Sequence, residues 1–154
     1  MKIALPLLST TLLTLGLSIS ALANPLTATI SKIIDGDTVT ITTNGSNTIL
    51  QLACIDSPDW VNGQAEYGAE SSKNRLTQLL PNGSSIQYYP VGSVAGNRTL
   101  AVIFRGNSNI NLQMVAEGRA SLHSSYTNKC PGSANALLNA QTNAQNRRLG
   151  MWNR

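Results

Sequence analysis

Charge is scarce in this chain. Of its 154 residues only 12% are Asp, Glu, Lys or Arg, and there is one histidine and a single pair of cysteines. Eleven basic residues against seven acidic ones leave a mild positive excess, without the dense basic stripe of a dedicated duplex binder. A zinc centre is excluded by supply, because Cys54, Cys130 and His123 fall short of the ligands it needs. The EF-hand spacing is absent, and His123 has no serine or cysteine at a spacing that supports a hydrolase triad. There is no internal repeat, and after the N-terminal apolar stretch no run is long enough to cross a bilayer.

What is present begins with an export signal. Lys2 supplies a short positive region, Ala4 to Leu17 is largely apolar, and Ala21-Leu22-Ala23 is a small-x-small cleavage site. Residues 1–23 are therefore expected to be a signal peptide. Its removal leaves 131 residues, 24–154, enough for one domain with one modest core. The expected product is a secreted or periplasmic monomer whose basic excess, without Lys2, is ten against seven. In an oxidising compartment Cys54 and Cys130 are expected to form a disulfide, the alternative being two unrelated buried thiols. A crosslink closing so long a loop stabilises by about 4 to 5 kcal/mol on the chain-entropy account.

Alternation of apolar and polar residues predicts strands over Thr27 to Ile33, Thr38 to Thr43 and Asn47 to Cys54, with Asn44-Gly45 as the hairpin turn between the last two. A helix is predicted over Gln64 to Leu80, stopped by Pro81-Asn82-Gly83. Ser85 to Tyr89 and Leu100 to Arg105 read as strands around a flexible Gly92 to Asn97 connection. Asn109 to Glu117 reads as a short helix ended by Gly118, and Ala134 to Arg148 as the last helix, with Leu137, Leu138 and Ala144 available for packing. Strands first, then helices interleaved with later strands, indicate an α+β domain, and five short strands fit a small closed barrel of the OB type.

The acids are concentrated. Asp35, Asp37, Asp56 and Asp59 are four of the seven, and they fall at the bend between the first two strands and just past the third. Adjacent strands bring both groups to one end of the sheet, where hard oxygen donors suit Ca²⁺ or Mg²⁺. A single Asp-Gly-Asp would be an ordinary turn. Here Ile34-Asp35-Gly36-Asp37-Thr38-Val39 is followed in order by Leu52-Ala53-Cys54-Ile55-Asp56-Ser57-Pro58-Asp59, Tyr67-Gly68-Ala69-Glu70, Asn97-Arg98-Thr99-Leu100-Ala101, Asn111-Leu112 and Arg148-Leu149-Gly150-Met151-Trp152. This series resembles the staphylococcal nuclease (thermonuclease) family over nearly all of residues 24–154.

The resemblance implies an OB-fold barrel of five strands with three α-helices, and a Ca²⁺-dependent phosphodiesterase that cuts DNA and RNA, single strands preferred, with little base specificity. It places Asp37 and Asp56 as the Ca²⁺ carboxylates and the Ser57 carbonyl as a third ligand, with Asp35 in the outer shell. Arg98 stands at the family's second catalytic arginine, Asp59 at its water-orienting glutamate, and Tyr126 near a base-stacking tyrosine. The departures are specific. Gln51 occupies the position of the first catalytic arginine and brings neither charge nor a guanidinium fork; one such contact is worth about 10²- to 10³-fold in rate. Asp59 is a methylene shorter than glutamate, and Val94 and Gly96 replace an aspartate and an aromatic before Arg98. A nuclease of reduced activity is expected. The alternatives are a nucleic-acid or nucleotide binding module that has lost efficient hydrolysis, and a protein-interaction OB domain.

Overall fold

A computed structural model of the chain describes residues 24–154; the expected signal, residues 1–23, lies outside the described residues. The elements run β1 (Leu26–Ile33), β2 (Thr38–Thr43), β3 (Ser46–Leu52), β4 (Ile55–Asp56), β5 (Trp60–Val61), β6 (Gln64–Ala65) and α1 (Ala69–Leu79). They continue with β7 (Ser85–Val94), β8 (Arg98–Arg105), β9 (Ser108–Asn109), α2 (Ile110–Ala116), β10 (Ser121–Leu122), α3 (Tyr126–Lys129) and α4 (Ala134–Asn146).

Strands β3-β2-β1-β7-β8 pair in that order, antiparallel at each step, and β3 then pairs with β8 in parallel through Leu50↔Thr99, Gln51↔Leu100 and Leu52↔Ala101. That last pairing closes a five-stranded barrel, the expected α+β OB architecture. The β2–β3 hairpin turns at Asn44 and Gly45, both at positive φ as a primed turn requires. A bulge between Ile30 and Lys32 in β1 and another between Pro90 and Gly92 in β7 add the twist that closure needs. Inward residues Ile30, Ile41, Leu50, Leu52, Ile86 and Ile103 fill the barrel and are wholly buried, each contributing about 1.5 to 3 kcal/mol by leaving water.

The helices cap the barrel. Ile110, Met114 and Val115 of α2 join the core, and α4 packs on α2 through Leu137 and Ala144. Leu138, expected to pack, is instead 43% exposed. Helix α1 buries Ala69, Ser72 and Leu76, and Arg75 makes a two-pronged ion pair with Glu117 at 2.6 and 2.7 Å that ties α1 to the end of α2. Asn111 is the polar keystone of this layer: its Nδ2 donates to Ala53 O (2.9 Å) and Ala101 O (3.1 Å), and its Oδ1 accepts from Ile103 N (2.9 Å).

Several expected bounds also differ. The helix expected from Gln64 starts at Ala69, because Asn62 and Gly63 are both at positive φ and turn β5 back onto β6, and Gly68 at φ 96° cannot continue a helix. Strand β7 runs on to Val94, so the expected flexible connection is a tight turn with Gly96 and Asn97 at positive φ. The third strand ends at Leu52 and not Cys54, whose φ of 71° takes the chain out of the ladder. Cys54 and Cys130 are joined in a disulfide, and neither thiol is free.

Candidate active site

The Asp-Gly-Asp bend and the segment after β3 meet at one end of the barrel. Leu52 N donates to Asp37 O at 2.7 Å, and Thr38 sits opposite Gln51 in the β2–β3 ladder, which brings the acidic bend alongside Gln51 and Leu52. Gly36 is required by closeness: a Cβ there would stand 2.7 Å from both Ser57 Oγ and Ser72 Cβ. Ser72 is anchored in turn by its hydroxyl donating to Arg119 O at 2.6 Å.

The Asp37 carboxylate is buried, with 6% of the residue exposed. Its Oδ1 accepts from Thr38 Oγ1 at 2.8 Å and its Oδ2 from Ser57 N at 3.2 Å, while Asp37 N donates to Asp35 Oδ1 at 2.9 Å. Burial, with the neighbouring Asp35 charge, pushes the Asp37 carboxyl from its ordinary 3.8 up to about 7, against the opposing pull of its bonds from Thr38 and Ser57. Ser57 Oγ is buried beside it with no hydrogen-bond partner.

Asp56 is exposed on β4, opposite Ser121 of β10. It lines an open groove of about 470 Å³ together with Ser57, Glu66, Tyr67 and Arg154. Among the described residues no three His, Cys, Asp or Glu side chains converge as a metal cluster. A cation at this end would rest on two carboxylates, a carbonyl and water. That donor set is hard oxygen throughout, and a divalent cation supplies the positive charge that the buried Asp37 carboxylate lacks, so the residues present fit such an ion.

Among the described residues, Asp59, Arg98, Gln51 and Tyr126 make no hydrogen bond to the Asp37 or Asp56 side chain. Asp59 Oδ1 accepts from Trp60 N at 2.6 Å, and Asp59 N donates to Glu66 Oε2 at 2.9 Å. Glu66 was not singled out from the sequence; the Asn62-Gly63 turn, which folds residue 66 back on residue 59, was the signal for it. Arg98 starts β8 two residues before Leu100, the partner of Gln51, and its Nε donates to Ala95 O of its own hairpin at 3.3 Å. Gln51 opens into a small cavity of about 60 Å³ with Val94, Leu100, His123 and Ser125. Tyr126 is half-buried at the start of α3, packed against the core cluster.

A closed barrel capped by helices, with two acidic loops joined at one end through Asp37 and Ser57, defines an α+β domain of the OB type. The chain belongs to the staphylococcal nuclease homologue family, whose model matches residues 49–154. Gln51, Asp56, Ser57, Asp59 and Arg98 lie within the matched stretch, and Asp35 and Asp37 precede it. A Haemophilus influenzae protein named as an uncharacterized endonuclease is 34% identical over 127 residues, 82% of this chain and 66% of that protein. The thermonuclease of Staphylococcus intermedius is 26% identical over 132 residues, covering 81% of this chain and 75% of its own. That of Staphylococcus hyicus is 28% identical over 101 residues, 64% of this chain and 60% of its own.

Proposed function

We propose that residues 24–154 form an exported, monomeric nuclease domain that hydrolyses phosphodiester bonds of DNA and RNA, preferring single strands, with Ca²⁺ as cofactor and a rate lowered by Gln51. The observation that carries this reading is the buried Asp37 carboxylate bonded to Ser57 N, one residue from Asp56, in a chain of the nuclease family. Its relatives named endonuclease and thermonuclease support the reaction class. The Cys54–Cys130 disulfide supports an oxidising, secreted or periplasmic location.

Asp37, Asp56 and the Ser57 carbonyl would hold the ion. When bound, Ca²⁺ supplies charge neutralisation at the phosphate and acidifies water. Thr38 Oγ1 and Ser57 N fix the Asp37 carboxylate, and Asp35 fixes the Asp37 amide. Asp59 keeps one carboxylate oxygen on Trp60 N, and the other positions the attacking water, with Glu66 holding the Asp59 backbone in place. Arg98, on leaving Ala95 O, hydrogen-bonds a phosphate oxygen and offsets the charge that develops on the departing oxygen. Tyr126 stacks on a base.

Gln51 favours a second reading, a nucleic-acid binding module with little hydrolysis. Cleavage of a labelled single-stranded oligonucleotide by the purified mature chain, with Ca²⁺ or with chelator, separates the two. Ca²⁺-dependent cleavage above an Asp37→Ala background supports the enzyme; binding without such cleavage supports the module.

A further inference from the structure

The stretch from His123 to Cys130 lies over the wall that carries Gln51 because both of its ends are pinned to one residue. His123 N donates to Cys54 O at 3.0 Å, and Cys130 is disulfide-bonded to the Cys54 sulfur. Cys54 is three residues beyond Gln51 and lines the same small cavity. The stretch therefore carries one residue, His123, to the cavity that Gln51 lines, and another, Lys129, over the neighbouring Gly92–Leu100 pair.

His123 is the first. It lines the cavity of about 60 Å³ that Gln51 also lines. Ser125 N donates to His123 Nδ1 at 3.2 Å, and the Ser125 hydroxyl lies 2.8 Å from the same nitrogen. A backbone N–H can only donate, so Nδ1 is an acceptor and the neutral ring carries its proton on Nε2. That Nε2–H has no hydrogen-bond partner among the described residues.

Lys129 is the second. Its Nζ occupies the space above Gly92, 3.1 Å from where a Cβ would sit, and Leu100 Cδ1 is 3.8 Å from the same point. Leu100 is the ladder partner of Gln51 and a wall of the cavity. Among the described residues Lys129 makes no ion pair. A fixed N–H donor thus shares the cavity of Gln51, where the family's arginine is replaced by a neutral amide, and an ammonium without an ion pair stands over Gly92, on the other side of Leu100 in the ladder.

We propose that His123 and Lys129 form a phosphate-binding cradle beside Gln51, supplying the hydrogen-bond donor and the positive charge that Gln51 does not. The ligand class is a phosphodiester or a free phosphate, and the proposal rests on the nucleic-acid reading above for its biological substrate. Asp37 and Asp56 take no part in it, so it operates in chelator.

The test uses the full mature chain in chelator with inorganic phosphate, followed on the imidazole nitrogen signals of its single histidine. Phosphate is expected to shift the His123 Nε2 signal saturably, and Lys129→Gln to weaken that affinity about tenfold, the scale of one charge-assisted hydrogen bond. Binding of an oligothymidylate then loses about 0.7 from its salt slope in Lys129→Gln, one phosphate contact's worth on a single strand. Gln51→Arg restores oligonucleotide affinity to the His123→Gln, Lys129→Gln double variant, a rescue that a merely structural role would not allow. An unmoved His123 signal, or a double variant binding phosphate as the wild type does, overturns the cradle. A chain that binds phosphate at His123 yet cleaves nothing with Ca²⁺ overturns the hydrolase reading and leaves the cradle standing; Ca²⁺-dependent cleavage with an unmoved His123 does the reverse.

Discussion

The Asp37 carboxylate accepts the backbone N–H of Ser57 at 3.2 Å across 20 residues of sequence, and this bond joins the two acidic loops at the barrel end. It also holds a carboxylate out of water with no basic side chain hydrogen-bonded to it. The site has therefore accepted a cost in stability for a feature that only a cation or a proton relieves.

The sign of that cost is measurable. The Asp37 pKa of about 7 lies above the ordinary 3.8, so the folded state binds this proton more tightly than the unfolded one. The contribution to stability is complete below 3.8 and is lost as pH rises through about 7. In chelator, thermal unfolding at pH 8 is expected to show Asp37→Asn more stable than wild type, with the difference shrinking by pH 5. At pH 8 Ca²⁺ raises the Tm of wild type and leaves Asp37→Asn unmoved. A difference between wild type and Asp37→Asn that stays constant in chelator from pH 5 to pH 8 would show the carboxylate to be ionised and well solvated throughout.

Asn111 makes a prediction about the frame. Its amide joins Ala53, Ala101 and Ile103, the segment before the second acidic loop and the strand that closes the barrel. Asn111→Ala strands Ala53 O and Ile103 N, while Ala101 O keeps its bond from Ala53 N at 2.8 Å; since one stranded group costs about 1 to 3 kcal/mol, a loss of roughly 2 kcal/mol or more is expected in urea unfolding. Asn111→Asp keeps the acceptor and loses both donor bonds. A loss below about 1 kcal/mol for Asn111→Ala would mean that water replaces the amide without cost.

The disulfide acts on both frame and cradle. Thiol labelling of the unfolded, unreduced chain is expected to find no reactive group, since both cysteines are bonded. Reduction lowers stability by up to about 4 to 5 kcal/mol on the chain-entropy account. Under reductant at a temperature where the fold survives, phosphate affinity is expected to fall while the Ca²⁺ shift in Tm persists, because Lys129 is held through Cys130 and Asp37 is not.

Much of the barrel was legible locally. Thr38–Thr43 has the strand bounds that alternation and the Asn44-Gly45 signal predict, and Gly118 at φ 65° ends the α2 region where a left-handed stop was expected. The same logic missed β5 and β6, because the apolar pattern through Ala65 outweighed an Asn62-Gly63 turn of the same kind as Asn44-Gly45. Leu138 fits the helix pattern as well as Leu137 does, and only the placement of α2 decides which of them is buried.

In the site, the acidic pair and Gln51 could be picked out from their motifs. The desolvation of Asp37, the unpartnered Ser57 hydroxyl and the meeting of Gln51 with His123 could not. Each depends on chain segments brought together from far apart, through barrel closure and the Cys54–Cys130 link, and no local pattern encodes that.

The most direct measurement is single-turnover cleavage of a single-stranded oligonucleotide by wild type, Gln51→Arg and Asp37→Ala, each with Ca²⁺ and with chelator. The account predicts slow Ca²⁺-dependent cleavage by wild type, a gain of up to about 10²- to 10³-fold in Gln51→Arg, and none from Asp37→Ala. A Gln51→Arg chain that cleaves no faster than Asp37→Ala would contradict it.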